Sequence, residues 1–129
     1  MRRILLTAAV ACGLCVVSST ASAADKEVKG VLIDNNCAKG QLAKANPEEA
    51  AEGHPKSCAL KDGCAKSGFS VISGKKQIKL DDAGNEKAIA YLKGETNATR
   101  VVVMGTLSED GKTITVTDIK PDKKKEKAS

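Results

Sequence analysis

Five short stretches of β-branched and apolar residues place the main constraint on this chain. They are Val28-Lys29-Gly30-Val31-Leu32-Ile33-Asp34, Phe69-Ser70-Val71-Ile72, Lys76-Gln77-Ile78-Lys79-Leu80, residues 100–107 and Thr113-Ile114-Thr115-Val116-Thr117-Asp118-Ile119. Each reads as a strand, and Ser73-Gly74-Lys75 and Glu109-Asp110-Gly111 supply tight turns between neighbours. Strands this short expose unpaired backbone at any open sheet edge, and closing the sheet on itself removes that liability. In the last stretch Ile114, Val116 and Asp118 share one face, so Ile119 needs a bulge to turn inward.

The segments between these strands differ in texture. Residues 35–66 are rich in Ala, Lys, Glu and Asn and form a long helical insertion between the first two strands. Residues 41–45 and 47–52 read as short helices, the second with Asn46 as N-cap and Pro47 at its first position. His54-Pro55 repeats that pattern and opens a third short helix that Gly63 ends. Asp81-Asp82 then starts a helix that carries Ala88, Ile89 and Leu92 at helical spacing and stops at Gly94. A chain of 129 residues has room for one ordinary domain, placed here at 28–120. The expected fold is mainly β with short helices: a five-stranded barrel with one helix between strands 3 and 4. That order is the order of the oligonucleotide/oligosaccharide-binding (OB) barrel. An open α+β meander is the alternative.

The chain starts MRRILLTAAVACGLCVVSSTASAA. Arg2 and Arg3, an apolar run of 14 residues from Ile4 to Val17, and Ala21-Ser22-Ala23 have the form of a signal peptide, residues 1–23. The run is short of the roughly 20 residues that a spanning helix needs. The expected destination is the periplasm or the extracellular space. Residues 121–129 read as a basic, disordered tail. Its lysines give at most a weak contact with an anionic cell envelope, at about 1 kcal/mol each near such a surface.

The formal charge of +5 comes from 21 basic and 16 acidic residues. Setting aside Arg2, Arg3 and the five lysines and two acids after residue 119 leaves 14 of each sign. A domain with no net charge and only two aromatic rings, Phe69 and Tyr91, lacks both the basic groove and the stacking platforms of a nucleic-acid binder. Glu48-Glu49 and Asp81-Asp82 are adjacent carboxylates that read as a solvated helix face and a cap rather than an acid–base pair.

Four pieces in order, GVLIDNNCA, HPKSCALKDGCAKSGFSVI, KLDDAGNEKA and VVVMGTLSEDGKTITVTDI, resemble a family of small exported bacterial domains of uncharacterised function. In that family a first strand ends in Asp-x-x-Cys, and a Cys-x-Leu…Cys-x-Lys-x-Gly segment follows. A Leu-Asp strand and a Gly-Thr-Leu hairpin then close an OB-like barrel. Cys37, Cys58, Cys64, Lys66, Gly68, Leu80, Asp81, Gly105, Thr106 and Leu107 occupy the motif positions. The resemblance implies export and fold, and brings no reaction or ligand.

Removing the leader takes Cys12 and Cys15 with it and leaves Cys37, Cys58 and Cys64. Thiols in an oxidising compartment tend to pair, yet three cannot all pair within one chain. Three readings stay open. A structural disulfide would stabilise by roughly 2.4 kcal/mol between Cys58 and Cys64, or roughly 3.6 kcal/mol between Cys37 and Cys64. A continuous helix over 58–64 would hold its two cysteines about 9 Å apart along the axis, too far to bridge. The second reading is a metal site of Cys37, His54, Cys58 and Cys64, a soft set suited to zinc or copper. The third is a reactive thiol with His54 as base, although no Cys-x-x-Cys pair is present. The expectation is an exported binding or scaffold module for an unknown small ligand or protein. It is stapled by one disulfide, is not catalytic and needs no cofactor. The alternatives are a metal-holding module and a thiol-redox protein.

Overall fold

All five expected strands form, and the first and last reach further than expected. A computed structural model of the chain describes residues 25–123. The expected leader, residues 1–23, and residues 124–129 of the tail lie outside them. Strand β1 spans Lys26–Asp34, β2 Phe69–Ser73, β3 Lys76–Leu80, β4 Arg100–Leu107 and β5 Thr113–Pro121. Lys26 and Glu27, outside the expected domain, pair with Gly105 and Met104, because a ladder bonds backbone whatever the side chain. Pro121, expected in the disordered tail, ends β5 opposite Val101, where a proline sacrifices only one ladder bond. Asp122 N then donates to Arg100 O at 3.1 Å.

The sheet is mixed and closes in a ring, in the order β1-β2-β3-β5-β4 and back to β1. Every pairing is antiparallel except β3 with β5, which is parallel. Near the end of β5 the register steps from Met104↔Asp118 to Gly105↔Val116, leaving Thr117 as an extra residue. That step changes the side-chain parity, so Ile119 packs against the core together with Ile114 and Val116. Gly105 sits at the step because a Cβ there would meet Thr115 O at 2.0 Å.

The ring encloses Phe69, Val71, Ile78, Leu80, Val101, Val103, Ile114 and Val116. Helix α5, Asp82–Leu92, covers one end with Ala88 and Leu92, and lies between β3 and β4 in sequence. Its N-cap is Asp81, whose Oδ1 accepts from Gly84 N and from Val116 N, both at 3.0 Å.

From Val31 onward β1 is buried on both faces, which is why its sequence runs apolar without alternation. Leu32 faces the ring interior, whereas Val31 and Ile33 face outward with Ile72 beneath the insertion. The insertion holds α1 (Asn35–Leu42), α2 (Pro47–Glu52), α3 (Lys56–Ala59) and α4 (Asp62–Lys66). Ala38 and Ala51 complete the small second core.

Two expected helix boundaries are corrected. Helix α1 begins at Asn35 rather than near Gln41, because Asp34 caps it directly off the strand. Gly63 lies inside α4 rather than ending a third helix. The chain breaks instead at Leu60 and Lys61, where Ala59 and Leu60 pack on the main core and Lys61 turns extended at φ −63°, ψ 143°.

Glu48 is also not the solvated residue expected. Arg100, only 8% exposed, reaches Glu48 Oε1 at 2.5 Å and Glu52 Oε2 at 2.8 Å, clasping successive turns of α2. The hydrogen bonds that Arg100 donates to Glu52 and Glu48 raise its pKa against the opposing effect of burial.

Candidate metal centre

The three cysteines come from three different helices, α1, α3 and α4. Cys37 lies in the first turn of α1, and its N–H donates to Asp34 Oδ2 at 3.0 Å. Asn35 ties this turn to the end of α4, with N to Gly68 O at 2.9 Å and Nδ2 to Ser67 O at 2.7 Å. Ser67 Oγ donates to Cys64 O at 2.6 Å, and Asn36 Nδ2 donates to Gly63 O at 3.3 Å, so Cys37 and Cys64 are held in register. Gly68 closes this junction at φ 81°, a left-handed conformation that glycine adopts without strain.

Cys58 arrives on α3. That helix is fixed by Lys56, whose Nζ donates to the carbonyls of Gly94, Glu95 and Asn97 at 2.9, 3.1 and 2.8 Å. The break at Leu60 and Lys61 turns the chain before α4, so Cys58 and Cys64 are not separated along one axis. His54 lies between α2 and α3, with its N–H donating to Ala51 O at 3.0 Å.

The ligand atoms form two overlapping groups. The sulfurs of Cys37, Cys58 and Cys64 lie within 4.8 Å of one another, all half-buried and all free thiols. A carboxylate oxygen of Asp34, the Cys37 sulfur and a ring nitrogen of His54 form a second group within the same distance. The cysteines foreseen as converging therefore do converge. His54, foreseen as a fourth partner to all three, is grouped with Cys37 and Asp34 instead. Asp34 was not foreseen as a site residue. Its signal was the Asp-x-x-Cys spacing, which places a cap carboxylate beside the residue three positions on.

Electrostatics at the cluster are one-sided. Burial pushes the Cys37 thiol up to about 12, and the charge and hydrogen bonding of Asp34 add to it, as do the two other cysteines. The Cys64 thiol is also raised, by desolvation and then by Asp34, partly offset by its hydrogen bond with Cys37. Reactive thiols need the reverse, a nearby positive charge or helix N-terminus that favours the thiolate. The donors suit a soft or borderline cation: three sulfurs, one imidazole and one carboxylate.

Among the described residues no helix is long and apolar enough to cross a membrane. In comparisons with known proteins, no family profile, curated protein or solved structure matches the chain.

Proposed function

We propose that this chain is a small exported module that holds a soft metal ion, zinc or copper, through Cys37, Cys58 and Cys64. The observation that carries the reading is the mutual approach of all three sulfurs, each within 4.8 Å of the other two. A disulfide uses two sulfurs and leaves the third idle, whereas a thiophilic ion uses all three. Around tetrahedral zinc, with bonds of about 2.3 Å, sulfurs stand roughly 3.8 Å apart. The cluster therefore needs to tighten by at most about 1 Å to close on an ion. The raised thiols fit the same reading: a cation supplies the positive charge the site lacks, and each bound thiol releases its proton.

The remaining parts of the reading rest on sequence and topology. The ring order and the position of α5 support an OB-type barrel as the platform. The leader supports export, and the motif pieces support membership of the small exported bacterial domains they resemble. A second reading, a scaffold stapled by one disulfide, draws on the same proximity of the sulfurs.

Protein recovered from its native compartment without chelator should carry zinc or copper, and replacing Cys37, Cys58 and Cys64 together by serine should abolish it. Metal-free protein that alkylates at one thiol before reduction and three after would overturn this reading and establish the staple.

A further inference from the structure

A site of three sulfurs leaves Asp34 unexplained. The residue is fully buried, at 0% exposure; its Oδ2 accepts from the N–H of Cys37, and its carboxylate also meets the thiols of Cys37 and Cys64. Its Oδ1 is enclosed and has no hydrogen-bond partner. An enclosed carboxylate oxygen without a donor is costly, and native proteins rarely keep one that has no ligand to meet. This oxygen belongs to the residue grouped with the Cys37 sulfur and a His54 nitrogen.

Building on the metal-holding reading, we propose that the centre takes two divalent zinc ions that share the Cys37 sulfur. One lies among Cys37, Cys58 and Cys64, and the other among Asp34, Cys37 and His54. Three arguments support this. The two groups overlap at Cys37 alone, so the site is two adjoining pockets rather than one four-cornered cage. A thiolate sulfur has enough lone pairs to bond two ions at once. Charge also balances: three thiolates and one carboxylate carry four negative charges, which two zinc ions neutralise beside a neutral His54. One zinc ion would leave two negative charges uncompensated in a partly buried place. Each ion has three protein ligands, which leaves a fourth position open to water or an exchanging ligand. On binding, the three thiols give up three protons to solvent and no electrons move.

The test is a zinc titration of the reduced full chain followed by native mass spectrometry. Wild type should saturate at two zinc ions per chain and His54→Ala at one. Asp34→Asn, which keeps a capping side chain, should also saturate at one. Cys37→Ser should weaken both ions by at least tenfold. Wild type saturating at one ion, or His54→Ala still holding two, overturns the shared-sulfur site while leaving the three-sulfur reading intact. Wild type binding no zinc and no copper removes both.

Discussion

Inside the ring, Phe69, Val71, Val101, Val103 and Ile114 are wholly buried and belong to one continuous apolar core. Outside it, the insertion rests on Val31, Ile33 and Ile72 through Ala38, Ala51 and the half-buried Cys37 and Leu42, while Ala59 and Leu60 reach the main core. Alanines bury too little surface to hold four short helices, so charge and backbone capture do the rest. Arg100 clasps α2, Lys56 ties α3 to the loop after α5, and Asn35 ties α1 to α4. A layer held by polar ties can shift slightly without emptying a core, which is what a cluster of ligands needs in order to close on an ion.

This contrast can be broken or sharpened by experiment. Phe69→Ala should cost about 3–5 kcal/mol, lower the urea midpoint and unfold ring and insertion together. Glu48→Gln with Glu52→Gln leaves the buried guanidinium of Arg100 without a counter-charge. We expect a loss of about 2–3 kcal/mol, below the full cost of breaking a buried pair because Glu52 is half exposed. Hydrogen exchange should place that loss in residues 35–66 first, and uniform loss across the strands would erase the distinction between the two layers. Lys56→Met should cost about 1 kcal/mol and speed exchange in α3 alone.

A further effect is with pH. In the metal-free fold Cys37 holds its proton to about 12, against an ordinary 9.0, so the native state binds more protons than the unfolded chain in that range. The contribution is complete below about 9 and fades as pH rises toward 12. Alkylation of Cys37 in the native protein should therefore lag behind the denatured chain through that window, and equal rates would show that the thiol is not shielded.

The ring was legible because β-branched runs, the turns around Gly74 and Gly111 and the parity of Ile114 and Val116 are all local signals. So was the need for a bulge before Ile119. The insertion was less legible, for physical reasons. Asp34 looks like the polar end of a strand until its carboxylate is seen capping α1. The break at Leu60 depends on packing against a core formed mostly by distant residues, so Gly63 was a misleading stop signal. Arg100 meets carboxylates 48 and 52 positions away, and no window of sequence shows that pairing. Convergence of the cysteines was foreseen from their number and from the expectation of export. The division into two pockets was not, because it depends on where His54 lies relative to α1.

The parallel contact of β3 with β5 rests on two register pairs, Lys79↔Thr113 and Leu80↔Ile114. It is the buckle of the belt, and β5 is the last of the described strands to be synthesised. Before β5 emerges, β4 can already lie beside β1, but nothing joins β3 to β4, and the apolar interior stays open to water. Closure of the ring therefore waits for β5, and with β1 pairing β4 across 69 to 79 positions the topology is one that slows folding.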